Sequence, residues 1–317
     1  MRLKQALEFI YQENGIKPVL RQTISRKLKK WERQGRLSLH GVIAREDREW
    51  AYRIFTANRI LGDFSWWGWE ARSELAWKME HEPWFYPKWN GQKKVLVVAE
   101  QGLGDEILFI SCAKDLAKEA DVFWEVDSRL ISLLERSIPE VHWISRWKDD
   151  GQPLQPDDFR GDYDAFLLAG AVPKLFRRSR SDFPQKPYLI PEVKRTLSGV
   201  GYVSKAGDGL HKRADVPGDH DLHHHSPLYQ GCKDFDEYVS LIASLDYVNA
   251  VPSAVVHICG AMGKRCNVIL PDKVKGNTNT YLRWPYPRSG AVNWYGPHVE
   301  VFASSKDFYS RLLKKAS

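Results

Sequence analysis

The feature that most constrains this chain of 317 residues is an alternation of short apolar runs with amphipathic segments, which begins at Lys93. The run KKVLVVAE is apolar and rich in β-branched residues, as a buried parallel strand requires. Segments of helical periodicity and further runs of this kind follow in turn: DEILFISCAKDLAKEA, DVFWEV, SRLISLLERSI, VHWIS and YDAFLLAG. Strand, helix and strand in this order predict a doubly wound α/β sheet.

A second series of the same kind follows a stretch that is rich in proline and charge. This stretch, FRRSRSDFPQKPYLIPEVKR, is typical of a hinge between domains. After it come the predicted strands GVGYVS, DYVNAV and CNVILP and the predicted helices FDEYVSLIASL and SAVVHICGAMG. We therefore predict an α/β protein with two Rossmann-like domains that face a cleft, and ligands of such sheets bind at the carboxyl ends of the strands.

The pattern divides the chain into five segments, since its length exceeds what one hydrophobic core usually organises. We expect a basic helical segment over residues 1–48 and a helical pair over residues 49–91. The two Rossmann-like domains cover residues 92–190 and 191–303. An amphipathic helix over residues 304–317 completes the chain, with Ser304 or Ser305 as a suitable N-cap.

The net charge of +7 is concentrated near the N-terminus, because residues 1–48 hold twelve Lys and Arg against five Asp and Glu. Such asymmetry indicates an anionic partner, whether nucleic acid, a membrane surface or an acidic glycan. A solvated helix face is the simpler alternative. The candidate contacts to the acceptor or to nucleic acid are Arg26, Lys27, Lys30 and Arg33.

Several classes of protein are disfavoured by composition. No stretch approaches the roughly 18 apolar residues of a membrane span, and the N-terminus is charged where a signal peptide is apolar. We therefore expect a cytoplasmic protein without membrane insertion. The four cysteines lack CxxC spacing and are expected to be reduced structural thiols. The histidine-rich run of residues 219–225 can bind a metal, but a polar loop is the simpler interpretation, so no metal site is predicted.

Two glycines and an aspartate join the first predicted strand to its helix in the run AEQGLGDEI. Gly102 and Gly104 let the backbone turn tightly and approach a ligand. Asp105 stands at or near the helix N-terminus, where it either caps the helix or takes part in chemistry. Without a third glycine, the GxG pattern is weak evidence for a dinucleotide, and an NAD-dependent enzyme ranks last.

Two further segments follow predicted strands of the second series. The helix that begins near Ser253 and Ala254 offers free N–H groups suited to a diphosphate, and His257 lies one turn further along. That histidine is either a buried structural residue or a reactive one. The glycine-rich loop SKAGDGLHKR begins at Ser204, and its basic residues either neutralise a departing diphosphate or are simply solvated.

Taken together, these segments resemble glycosyltransferase family nine, the heptosyltransferase-like proteins, in the branch with tetratricopeptide repeats before the transferase. The resemblance covers roughly residues 50 to 305. The runs that carry it are LGDFSWWGWEAR, AEQGLGDEILF, AVPKLF through KPYLIPE, DFDEYVSLIASLDYVNAVPSAVVHICGAMGK and NWYGPHVEVF.

The resemblance implies a GT-B enzyme that binds a sugar nucleotide mainly in the C-terminal domain and the acceptor mainly in the N-terminal one. Asp105 would be the general base and Lys212 would stand near the donor phosphates. The donor-binding residues would be Gly102, Gly104, Ser204, His211, Ser253, Ala254 and His257. The reaction would be an inverting displacement that needs no metal and no cofactor beyond a substrate such as a UDP-sugar.

Two departures from the family favour a different function. Pro252 stands where relatives have an acidic residue, and the chain between Lys212 and Asp234 is shorter than theirs, which predicts a lost strand or helix. The alternative is a non-catalytic module that binds a nucleotide sugar or nucleic acid on a degenerate GT-B frame. For the enzyme, nucleic acid with a hydroxymethylated base is one candidate acceptor, while glycan, lipid-linked sugar and protein side chain stay open.

Overall fold

The protein is described here by a computed structural model that covers residues 89–152, 154, 158, 161–177, 180–192, 196–206, 214–270 and 294–316. These residues form a mixed α/β structure with two parallel sheets. The basic segment, and all of the predicted helical pair before Trp89, lie outside the described residues. The same holds for most of the glycine-rich loop after Ala206.

The first sheet has four parallel strands in the order β3-β2-β1-β4. Its strands are β1 (Lys94–Val98), β2 (Asp121–Val126), β3 (His142–Ser145) and β4 (Ala165–Leu168). The helices of this unit are α1 (Leu103–Ile110), α2 (Ala113–Leu116), α3 (Ile131–Ser137) and α4 (Val172–Phe176). All four strands follow the apolar runs in the sequence, because a strand buried on both faces needs a continuous apolar segment.

The second sheet has five parallel strands in the order β6-β5-β7-β8-β9. Its strands are β5 (Val200–Val203), β6 (His220–Asp221), β7 (Tyr247–Ala250), β8 (Cys266–Ile269) and β9 (Val299–Phe302). The helices of this unit are α5 (Pro227–Gln230), α6 (Phe235–Ser244), α7 (Ala254–Met262) and α8 (Ser305–Ala316). Ser304 caps α8, since its Oγ accepts a hydrogen bond from the Asp307 N–H at 3.1 Å.

The observed helices and strands differ from the predicted set in three stretches. The helix expected over DEILFISCAKDLAKEA is broken at Ser111 and Cys112, whose N–H groups donate to carbonyls three residues earlier rather than four. At the same point the buried Arg177 guanidinium donates to the Ser111 carbonyl. The strand β9 was not predicted. The short edge strand β6 and the helix α5 lie in the stretch where the sequence analysis expected an element to be lost.

The two units share one continuous hydrophobic core, which contains residues of both sheets such as Val97 of β1 and Val248 of β7. Helices α1 and α7 pack directly against each other. The backbone N–H groups of Tyr188 and Leu189 both donate to the Ala261 carbonyl, at 2.9 and 3.1 Å. The chain that links the units is thus hydrogen-bonded to the end of α7.

The four cysteines are free thiols, and Cys112, Cys259 and Cys266 are buried, as the sequence analysis expected for structural residues. None of the helices in the described ranges has both the length and the apolar composition that would let it span a membrane.

Candidate functional site

A pocket of about 260 Å³ lies where the N-termini of α1 and α7 meet, at the carboxyl ends of strands from both sheets. This volume is close to the lower end of the roughly 300–1,000 Å³ that is usual for small-molecule sites. The first unit contributes Gly102, Leu103, Gly104, Asp105 and Arg129. The second contributes Val203, Lys205, Ala206, Leu222, His223, His224, Tyr229, Phe235, Tyr238, Pro252, Ser253, Ala254, Val255, His257 and Ile258.

Six of the predicted site residues line this pocket together: Gly102, Gly104, Asp105, Ser253, Ala254 and His257. Ser204 does not line it, and its carbonyl accepts a hydrogen bond from the Ala214 N–H at 3.1 Å. His211 and Lys212, together with Arg26, Lys27, Lys30 and Arg33, lie outside the described residues. The structure thus brings the AEQGLGDEI segment and the start of α7 together in one pocket.

The two glycines of the first motif have different roles. The left-handed backbone of the turn is at Gln101, with φ of 70°, whereas Gly102 has φ of −96°. A Cβ on Gly102 would meet no atom within 4 Å, so this residue leaves the pocket open. A Cβ on Gly104 would lie 2.8 Å from His257 Cδ2 and 3.2 Å from Ala254 Cα. Gly104 therefore permits the close approach of α1 to α7, which the sequence analysis did not foresee.

Asp105 is the third residue of α1, and only 3% of its surface is exposed. Gly102 occupies the N-cap position, so the interpretation of Asp105 as the helix cap is wrong. Burial raises the pKa of the neighbouring Tyr295 well above its usual value, and the charges of Tyr188 and Asp105 add to this effect. The carboxylate of Asp105 is thus close enough to Tyr295 to act on its ionisation.

His257 and Tyr295 form a buried hydrogen-bonded pair, in which the imidazole Nδ1 and the phenol oxygen are 2.7 Å apart. Their exposed fractions are 3% and 1%. Tyr188 is buried beside Tyr295 and donates its own hydroxyl to the Ile107 carbonyl of α1 at 2.9 Å. His257 is therefore held in a polar network that reaches from α7 to α1.

Ser253 is the N-cap residue of α7, but its side chain makes no capping hydrogen bond. Its Oγ is a buried atom with no hydrogen-bond partner among the described residues. Because the first N–H groups of a helix also lack intrahelical partners, this end of the pocket offers several donors to one ligand.

Four basic side chains in the pocket were not among the predicted site residues: Arg129, Lys205, His223 and His224. Arg129 is held by two 2.9 Å hydrogen bonds from its Nε and Nη2 to the Asp127 carboxylate, which raise its pKa further. The Lys205 side chain forms no ion pair or hydrogen bond with any residue that the structure describes.

Position along the chain is the information that identifies these residues. Arg129 follows the carboxyl end of β2, and Lys205 follows that of β5. Both strands were predicted, so the rule that ligands bind at strand carboxyl ends was sufficient to find these two residues. The histidines follow β6, which was not predicted, and this explains why the sequence analysis placed them in a polar loop.

The histidine rings lie close together, and those of His223 and His224 have centroids 4.3 Å apart and planes tilted by 42°. Burial lowers the pKa of His223, and the charges of His224 and Lys205 lower it further. His224 is more exposed, and partial desolvation of its ring lowers its pKa together with the charges of His225, Arg129 and Lys205. Within the described part of the chain, no three His, Cys, Asp or Glu side chains are grouped as metal ligands would be.

Another part of the pocket wall consists of apolar and aromatic side chains, among them Leu222, Phe235 and Tyr238. Tyr238 is buried and donates its hydroxyl to the Leu222 carbonyl, while its ring packs 6.0 Å from that of Phe235. A pocket with a basic, donor-rich part and an apolar part suits a ligand that combines an anionic group with a ring.

Comparison with known proteins gives one match among curated sequences, and no protein-family model matches the chain. Protein FlbA of Caulobacter vibrioides is 27% identical over 161 residues, which is 45% of this chain. The matched part covers 27% of FlbA, so this chain spans about a quarter of the length of that relative.

Solved structures with similar architecture include heptosyltransferases and other glycosyltransferases. The E. coli ADP-heptose LPS heptosyltransferase II is 13% identical with a TM-score of 0.38, over 71% of this chain and 100% of that one. A family 9 glycosyltransferase from Veillonella parvula is 11% identical with a TM-score of 0.42, over 73% and 93%. The iron-containing dodecameric glycosyltransferase TibC from enterotoxigenic E. coli is 14% identical with a TM-score of 0.40, over 70% and 65%.

Proposed function

We propose that this protein is a GT-B glycosyltransferase that moves a sugar from a nucleoside diphosphate to a hydroxyl acceptor. The observation that carries the proposal is the meeting of Asp105 with the N-terminus of α7 in one pocket, at the carboxyl ends of strands from both sheets. A carboxylate and a donor-rich helix end on facing units are what a transfer from a diphosphate to a hydroxyl requires.

The helix end is the place for the donor diphosphate. The N–H groups at the start of α7 and the Ser253 hydroxyl supply hydrogen bonds, and the positive end of the helix dipole favours a negative charge. Lys205 adds a cation. Lys212, which the resemblance places near the donor phosphates, is proposed to stabilise the leaving diphosphate, and His211 is proposed to bind the donor with it.

Asp105 is proposed to act as the general base. The acceptor oxygen forms a bond to the anomeric carbon while the bond from that carbon to the diphosphate oxygen breaks. The acceptor proton passes to the Asp105 carboxylate, and the electron pair of the broken bond stays on the diphosphate. The displacement inverts the anomeric carbon and uses no metal in this scheme.

The test is nucleotide release from a panel of donors, including UDP-glucose, in the presence of candidate hydroxyl acceptors. We expect Asp105→Asn to lower the rate by about 10²–10⁴, the usual loss of a general base. Asp149→Asn is the matched control, since Asp149 is exposed and lies outside the pocket. An Asp105→Asn variant with the wild-type rate would contradict the assignment of the base.

The acceptor is proposed to be nucleic acid, because of the basic charge of residues 1–48. Its phosphates would contact Arg26, Lys27, Lys30 and Arg33. Binding of duplex DNA should then weaken steeply as salt is added, and removal of residues 1–48 should abolish it. Equal binding by the truncated and the full-length protein would rule out this acceptor site.

One observation favours a second function, a non-catalytic module that binds a nucleotide sugar. Pro252 lines the pocket directly before Ser253, where it offers no side-chain hydrogen bond to a ligand. A non-catalytic module would bind donors with measurable affinity but would not transfer the sugar to any acceptor. Calorimetry measures donor binding and the release assay measures donor consumption. Binding without consumption supports the non-catalytic module, whereas consumption supports the enzyme.

A further inference from the structure

The pocket contains two histidines to which the proposed transfer reaction gives no role. His223 and His224 both line it, whereas His225 does not. They follow the short strand β6 and face the space that the N-terminus of α7 also faces. The run of three histidines is therefore part of the site and not a remote loop.

The geometry of His223 leaves one ring nitrogen available to a ligand. Only 8% of the residue is exposed, and its Nδ1 accepts a hydrogen bond from the His225 N–H at 3.4 Å. In the neutral ring this bond assigns the proton to Nε2. No described residue forms a hydrogen bond with Nε2 of His223, so this donor has no partner within the described part of the chain.

The groups around the two rings are mostly basic. Arg129 and Lys205 are near enough for their charges to act on His224, and Lys205 acts on His223 as well. Asp221 is an acidic neighbour, and its carboxylate accepts a hydrogen bond from the backbone N–H of His223 at 2.9 Å. His225 is a further titratable neighbour, and the same pocket is lined by Asp105, His257 and the tyrosines Tyr229 and Tyr238.

We propose that His223 and His224 bind the diphosphate of the ligand together with Arg129 and Lys205, and that this binding takes up a proton. The inference rests on the proposed function, because it assigns a diphosphate to this pocket. In the empty pocket a protonated ring is repelled by the charges of Arg129 and Lys205, and a bound anion offsets this repulsion. The cost of charging the rings is therefore lower in the complex than in the free protein.

The direction of the pH dependence follows from this linkage. In the free protein the pKa values of both histidines are lowered from 6.5, so the rings are mostly neutral at pH 7. A bound anion raises these pKa values, and between the free and bound values the complex holds more protons than the free protein. Affinity for the anion therefore rises as the pH falls through this window.

The experiment measures the Kd of inorganic pyrophosphate for the full-length protein by calorimetry at about pH 6 and about pH 8. Ionisation of pyrophosphate itself is the same for every variant, so the comparison between variants isolates the protein. We expect the ratio of the two Kd values to differ roughly fivefold between the wild type and the double variant His223→Gln, His224→Gln, since one proton changes Kd by up to about tenfold per pH unit.

Two further variants serve as controls. His142→Gln removes an exposed histidine outside the pocket and should keep the wild-type ratio. Lys205→Gln should weaken binding at both pH values, because it removes a positive charge from the pocket. A thermal melt of each variant confirms that it is folded.

Each result decides for or against the inference. It is overturned when the folded double variant keeps the wild-type ratio, or when the wild type does not bind pyrophosphate. Proton-linked binding without sugar transfer to any acceptor supports the inference and contradicts the proposed function. Sugar transfer that depends on Asp105 but is unchanged in the histidine variants supports the proposed function and contradicts the inference.

Discussion

At the scale of single residues, the hydroxyl of Tyr295 links the two sides of the pocket. It lies 2.7 Å from His257 Nδ1, and its ionisation responds to Asp105 and Tyr188. All of these groups are buried to more than nine tenths. A polar network of this kind stabilises one arrangement of its members, because a buried polar group that loses a partner keeps its desolvation cost.

We expect Tyr295→Phe to lower the free energy of unfolding by about 1–3 kcal/mol, since it removes the hydroxyl bonded to the buried His257. Urea denaturation measures this change. Tyr309→Phe is the matched control, because the Tyr309 hydroxyl is bonded to Asp215 at 3.1 Å on the surface. The control should change stability by less than about 0.5 kcal/mol. Equal stabilities of the two variants would show that the buried network contributes nothing.

At the scale of elements, the site depends on how closely two helices approach. Helices α1 and α7 meet at Gly104 and Ala254, and His257 lies against the same turn. Gly260 permits a second close approach, since a Cβ there would lie 2.2 Å from the Tyr295 ring. Larger residues at these two positions would push α7 away from its neighbours and change the shape of the pocket.

We expect Gly104→Ala to destabilise the fold by about 1–3 kcal/mol, as overpacking of a tight contact does. This exceeds the gain of up to about 1 kcal/mol from the better helix propensity of alanine. Gly102→Ala is the control, because an added Cβ there meets nothing within 4 Å. Loss of the Gly N-cap should cost less than about 1 kcal/mol. A stabilised Gly104→Ala would mean that the helices can separate freely.

At the scale of the whole molecule, the two α/β units are joined by polar contacts as well as by their common core. Arg136 of α3 donates two hydrogen bonds to the Asp236 carboxylate of α6, at 2.6 and 3.0 Å. Its Nε also donates to the Ile190 carbonyl at 2.8 Å, in the segment between the units. Asp236 is buried, so this bidentate pair is screened far less than a surface pair.

We expect Arg136→Gln to lower the free energy of unfolding by about 1.5–3 kcal/mol, because it removes charged hydrogen bonds from a buried carboxylate. The common core further predicts that the described units unfold in one transition. Lys118→Gln, which breaks an exposed ion pair with Asp115, should change stability by less than about 0.5 kcal/mol. Calorimetry measures both quantities, and two separate transitions in the wild type would contradict the common core.

The sequence by itself determined the local elements, because hydrophobic periodicity depends on neighbours along the chain. KKVLVVAE became β1, and SAVVHICGAMG became α7 with Ser253 at its N-cap. Neither β6 nor β9 was found, since a strand of two residues carries no period and β9 includes the polar Glu300. The two motifs that contain Asp105 and Ser253 were also predicted, each at the carboxyl end of its strand.

Only the tertiary structure decided which of these residues meet. Packing of α1 against α7 brings Asp105 and Ser253 to one pocket, assigns Gly104 to the helix contact, and leaves Ser204 outside. The tertiary structure also places His223 and His224, which the sequence shows only as part of a polar run, in the wall of the pocket. These outcomes depend on long-range packing, which chain periodicity does not encode because it reports only which face of each element is buried.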